Sequence, residues 1–138
     1  MTIADIMSKT AIIVFSLALL CAAGVVCLGS ARKNQKGFKS LTNKEFEKAI
    51  KSKDVRLIDV RTAEEYAQGH IPGAINIDVN SSDFAERCLK VLQSGETAAL
   101  YCRSGRRSKN AANILSSRWT SIIEWDGGFL SWTSDIER

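Results

Sequence analysis

Cys102 closes the apolar run Ala98-Ala99-Leu100-Tyr101 and is followed at once by Arg103-Ser104-Gly105-Arg106-Arg107-Ser108. Three guanidinium groups within five residues of a thiol are a poor choice around a core side chain and a good one around an anion. Cationic surroundings favour thiolate over thiol, and the thiolate is the nucleophilic form of cysteine. Gly105 permits the left-handed backbone that a tight curl requires. The loop's amide groups can then converge on one point, assisted by the N-terminus of the helix that follows. The chemistry that suits this pattern is attack by sulfur on a small anion. A lone cysteine at a strand end is ordinarily a small buried hydrophobe, but the three arginines reverse that reading.

A nucleophile of this kind needs a strand to deliver it and a helix to close the loop. Thr97–Tyr101 reads as that strand, and Ser108–Trp119 as the helix, beginning five or six residues after Cys102. Upstream, Thr42 with Glu45 makes a capping box that opens a helix through Ile50, and Thr62 with Glu65 makes another for a brief helix ending near Gly69. Val55–Val60, Ala74–Ile77 and Thr120–Trp125 read as further strands, and Ser82 as the cap of a helix bearing Phe84, Cys88, Val91 and Leu92 on one side. Strands separated by helices imply an α/β domain, with parallel pairing and helices on both faces. In such sheets ligands gather at the C-terminal ends of the strands, where Cys102 stands. His70, beside Pro72 and Gly73, reads as a turn residue, Gly127 and Gly128 as a tight turn, and Cys88 as core.

The segment from Cys102 to Ser108 resembles the active-site loop of the rhodanese family, a Cys-x-x-Gly-x-Arg-Ser pattern. Leu57-Ile58-Asp59-Val60-Arg61, Glu64-Glu65-Tyr66 and Gly69-His70-Ile71-Pro72-Gly73-Ala74-Ile75-Asn76 resemble the family's N-terminal signature. Trp125-Asp126-Gly127-Gly128-Phe129 with Trp132 resembles its C-terminal one. The match runs from Leu41 to the chain end. It implies a three-layer α/β/α domain around a five-stranded parallel sheet. It also implies a thiosulfate sulfurtransferase cycle, in which Cys102 takes sulfane sulfur from a small anionic donor such as thiosulfate, forms a persulfide, and passes the sulfur to cyanide, a thiol or a protein acceptor. The resemblance carries no cofactor and no metal. In its terms Arg103, Ser104, Gly105, Arg106, Arg107 and Ser108 bind substrate, with the backbone amides of residues 103–107 around the persulfide. Asp59 and Arg61, a charged pair at a strand end, are expected to brace the loop, since a desolvated charge requires a partner.

A relay of persulfide sulfur between proteins would keep this chemistry and change only its purpose; two further readings compete with it. Cysteine phosphatases place five residues between cysteine and arginine; only four separate Cys102 from Arg107, which favours a sulfur atom over a phosphoryl group. A rhodanese-like module that only binds partners often lacks the cysteine, which is present here.

Ahead of the domain, residues 10–29 form an uncharged apolar run, the length of a membrane-spanning helix. Residues 1–30 therefore read as a signal peptide or membrane anchor, with a small-residue cleavage pattern at Gly29-Ser30-Ala31. Residues 31–40 read as a basic linker and residues 41–138 as the domain. The basic cluster from Arg32 to Lys39 pulls towards a cytoplasmic domain. A short N-terminal segment before an apolar run pulls towards export, and the periplasmic side is the favoured reading.

The chain has 138 residues and a net charge of +4. The excess lies wholly before Leu41, since the charges from that residue onward balance. A nucleic-acid surface would need its basic stripe on the domain itself, so no nucleic-acid partner is expected. The spacings of Cys21, Cys27, Cys88 and Cys102 match no zinc site, and the single histidine excludes a His-rich one. A Cys88–Cys102 disulfide stays open on sequence grounds, although the surroundings of Cys102 suit a free thiol.

Overall fold

The computed structural model describes residues 37–138, so the apolar run at 10–29 and nearly all of the linker lie outside the described residues. Among those described, no helix is long and apolar enough to cross a membrane. Strands β1 (Lys39–Leu41), β2 (Val55–Asp59), β3 (Ile75–Asn76), β4 (Thr97–Tyr101) and β5 (Ile122–Trp125) make one parallel sheet in the order β1-β5-β4-β2-β3. Helices α1 (Asn43–Ala49), α2 (Ala63–Gln68), α3 (Phe84–Val91) and α4 (Arg106–Leu115) connect them, and a 3-10 turn at Phe129–Ser131 follows β5.

The central strand shows why three layers form. Every residue of Ala98–Tyr101 is fully buried, as a parallel strand covered on both faces must be. Side chains alternate across the sheet. Ala98, Leu100 and Cys102 pack with Phe84 and Cys88 of α3 and with Ala111, Ala112 and Leu115 of α4. Ala99 and Tyr101 face the other layer, with Phe46 of α1, Ile71 and Trp125. There Trp125 stacks on Phe46 at 5.3 Å and meets Trp132 edge-on at 5.6 Å.

Both capping boxes form as expected: the Thr42 and Thr62 amides donate to Glu45 at 2.9 Å and Glu65 at 3.1 Å. Other boundaries differ. β1 begins inside the segment read as linker. Its three residues carry no apolar alternation, and it is a strand only because Lys39, Ser40 and Leu41 lie opposite Ile123, Glu124 and Trp125. It supplies the fifth strand that the residues alone did not disclose. β2 stops at Asp59, β3 covers two residues, and β5 starts at Ile122. Asp83, not Ser82, stands at the α3 N-cap. α4 starts at Arg106 and ends at Leu115, earlier at both ends than expected. Trp119 is instead held by its indole N–H on Glu96 O at 3.1 Å.

Candidate active site

β4 carries Cys102 to the C-terminal edge of the sheet, and α4 begins four residues later. A turn that short needs a left-handed residue at the helix N-cap, and Gly105 supplies it with φ +87°. A Cβ there would lie 2.2 Å from Asp126 O, so the position is closed to any other residue on two counts. The curl aims the Gly105 N–H at Cys102 Sγ, 3.1 Å away. Cys102 sits at the floor of the loop, 1% exposed. Ser108, on the first turn of α4, is fully buried with its Oγ 3.7 Å from that sulfur. Arg103, Ser104 and Arg106 are exposed around the rim.

The C-terminal segment clamps this loop. Phe129 N–H donates to Cys102 O at 2.8 Å and Leu130 N–H to Arg103 O at 3.1 Å. Gly128, with φ +65°, lets the two backbones touch, since a Cβ there would sit 2.5 Å from Arg103 O and from Ser104 N. Gly128 thus does more than make the tight turn read from sequence.

Asp59 and Arg61 meet beneath the clamp. The Arg61 guanidinium contacts the Asp59 carboxylate at 2.6 and 3.0 Å and donates to Gly69 O at 2.7 Å. Its cationic face lies 4.2 Å from the Phe129 ring centre and 5.7 Å from that of Tyr101. Burial opposes the Arg61 charge, but the hydrogen bonds and charge of Asp59 outweigh it and raise its pKa. The pair reaches the loop through Phe129, whose amide holds Cys102 O.

Arg107 is placed differently from the other two arginines. Its guanidinium grips Glu65 of α2 with two bonds of 2.7 Å. Those bonds, with a smaller contribution from the Thr62 amide, overcome burial and hold the Glu65 carboxyl down to about 2. The exposed positive charge of the loop is therefore that of Arg103 and Arg106. Beside Arg103 a groove runs between Glu65, Gln68, Leu130 and Ile136.

His70 pairs backbone to backbone with Glu137, stacks on Tyr66 at 3.6 Å and sets Nδ1 3.0 Å from Tyr66 O. Cys88 and Cys102 are free thiols. Cys88 lies among apolar side chains, and burial pushes its thiol up to about 12.

Sequence reasoning gave no role to Glu124 or Leu130, named Phe129 only within the C-terminal signature, and did not pair Glu65 with Arg107. For Glu124 a signal existed. It shares a face with Ile122 in the run Ile122-Ile123-Glu124-Trp125, so a carboxylate had to enter the core. Glu124 is fully buried, between the hydroxyls of Ser108 (3.0 Å) and Ser40.

Comparison with known proteins agrees with this geometry. The mouse (Mus musculus) thiosulfate sulfurtransferase/rhodanese-like domain-containing protein 3 is 35% identical over 108 residues, covering 70% of this chain and 69% of that protein. The thiosulfate sulfurtransferase PspE of Escherichia coli is 40% identical over 72 residues, 51% of this chain and 67% of that one. A crystal structure of a rhodanese-like domain protein from Staphylococcus aureus superposes with a TM-score of 0.61 at 32% identity, covering 72% of this chain and 96% of that one. A rhodanese from Escherichia coli determined with anions gives 0.53 at 34%, covering 61% and 98%. Such relatives support sulfurtransferase activity in general. The family profile of the rhodanese-like domain matches residues 42–135, and the chain belongs to that family.

Proposed function

We propose that the protein moves sulfane sulfur from thiosulfate to a thiophilic acceptor through a persulfide on Cys102. The observation that carries this reading is the 3.1 Å approach of the Gly105 N–H to Cys102 Sγ, at the floor of a loop rimmed by Arg103 and Arg106. Arg103 and Arg106 draw the donor anion in. The Cys102 sulfur attacks its outer sulfur, and sulfite departs with the electron pair of the broken S–S bond. The persulfide inherits a negative charge, which the inward amide and the open first turn of α4 stabilise. Cyanide or a thiol then removes the outer sulfur and returns Cys102. Arg107 acts indirectly in this scheme, by tying α4 to α2 through Glu65. The groove between Arg103, Leu130 and Ile136 favours a thiol presented by a protein as the natural acceptor, because Leu130 and Ile136 are 66% and 39% exposed.

The decisive measurement is the mass of the full chain before and after thiosulfate, then after cyanide. A gain of one sulfur atom on Cys102, removed by cyanide, is expected, together with negligible hydrolysis of an aryl phosphate. An unchanged mass overturns the reading. We propose further that residues 10–29 anchor the chain or direct its export, with the domain on the periplasmic side. A C-terminal reporter active only outside the cytoplasm is expected to be on; a silent reporter on a well-expressed fusion reverses that orientation.

A further inference from the structure

Next to Cys102 a buried carboxylate and two serine hydroxyls form a chain of contacts that ends at its sulfur. Ser108 Oγ lies 2.9 Å from Gly105 O and 3.0 Å from Glu124 Oε2. The Ser40 hydroxyl meets the other Glu124 oxygen, Oε1. Gly105 O also accepts the Lys109 backbone N–H at 3.2 Å, so each serine hydroxyl is free to give its one proton to Glu124. Both Glu124 oxygens are then met by serine hydroxyls, and one hydroxyl, that of Ser108, stands between the carboxylate and the Cys102 sulfur. Glu124 and Ser108 are each fully buried. The one further proton at hand is that of Cys102, whose sulfur is 3.7 Å from Ser108 Oγ.

We infer that Glu124, acting through Ser108, takes up the Cys102 proton during persulfide formation and returns it when the sulfur is passed on. This rests on the sulfur-transfer reading above. The Cys102 S–H bond breaks and its proton goes to Ser108 Oγ, while the Ser108 proton moves to Glu124 Oε2. The electron pair left on Cys102 forms the new bond to the outer sulfur of thiosulfate, and sulfite leaves with the pair of the bond that breaks. In the second half, the acceptor takes the outer sulfur, Cys102 keeps the bond pair, and the proton comes back along the same path. Glu124 is thereby neutral while the persulfide is anionic, which avoids two buried negative charges side by side. The charged groups that face the three residues are Lys109, paired with Asp126, and Arg107, paired with Glu65. Each cation is committed first to its carboxylate partner and adds only a weaker, longer-range positive charge at the sulfur. Glu124 touches no substrate; it is a positioning residue for a proton.

The test is an infrared difference spectrum of the full chain, persulfide form minus cyanide-discharged form, with mass measured on both samples. A carboxylic-acid carbonyl band is expected in the persulfide form. It is expected to shift on labelling glutamate side chains with carbon-13 and to vanish in Glu124→Gln. Persulfide formation by Glu124→Gln and by Ser108→Ala is expected to slow by about a hundredfold, the weight of a well-placed proton acceptor. A sulfur gain without the acid band overturns this inference and leaves sulfur transfer standing. No sulfur gain overturns both. The label makes the native spectrum sufficient if either variant fails to fold.

Discussion

Cys88 and Cys102 lie in the same apolar layer, 0% and 1% exposed, so burial does not separate them. Their polar neighbours do. Cys88 sits on the inner stripe of α3, where burial outweighs the nearby Arg87 charge and pushes its thiol up to about 12. Cys102 receives an amide N–H at 3.1 Å, has a hydroxyl at 3.7 Å and stands under a cationic rim. On the proposed reading, directed hydrogen-bond donors and nearby positive charge, within a site as buried as the core, are what set Cys102 apart from Cys88.

Exchanging the thiols breaks the comparison most severely. Cys102→Ser is expected to abolish thiosulfate:cyanide sulfur transfer, because a hydroxyl cannot hold the persulfide. Cys88→Ala is expected to keep most of it and to lose about 1 kcal/mol of stability to a small cavity. Steady-state assays and denaturant melts on both variants check this; substantial turnover by Cys102→Ser removes the distinction.

Loosening the support of one site alone sharpens it. Arg61→Ala leaves the Asp59 carboxylate buried and unpaired, at a cost of about 3–5 kcal/mol. It also uncovers Phe129, whose amide fixes Cys102 O. Iodoacetamide modification followed by mass mapping is expected to change in rate at Cys102 while Cys88 stays protected under native conditions. Equal change at both would mean that Arg61 serves the whole core.

The smallest effect concerns the tie between α2 and α4. The Glu65 carboxyl, ordinarily at 4.5, is held down to about 2, first by Arg107. A lowered carboxyl contributes stability that is full above its unfolded value and is lost as pH falls through its folded one. With the pair about a quarter exposed, about 1 kcal/mol is at stake. Glu65→Gln is expected to melt earlier than the native protein near neutral pH and to match it near pH 2. A constant difference between the two melts across that range would show that the pair does not carry the acid sensitivity.

Much of this was legible beforehand because it is local. The capping boxes at Thr42 and Thr62, the β4 run and the Gly105 curl each depend on neighbours within a few residues, and all stand in the fold. β1 was not legible, because three residues without alternation become a strand only when β5 offers its edge. The α4 start was misplaced by two residues because charged Arg106 and Arg107 resemble loop, while the left-handed Gly105 allows the helix to begin at once.

By itself the sequence determined the cysteine at the end of β4, the sign of the charge that follows it and the order of elements that delivers it. All three follow from residue identity and short-range periodicity. Tertiary structure alone decided the partners: Arg107 for Glu65 across 42 residues, Phe129 for Cys102 O, and Glu124 for Ser108. The physical reason is that a hydrogen bond or ion pair is settled by distance and direction in space, and residues far apart along the chain acquire these only when the sheet has assembled.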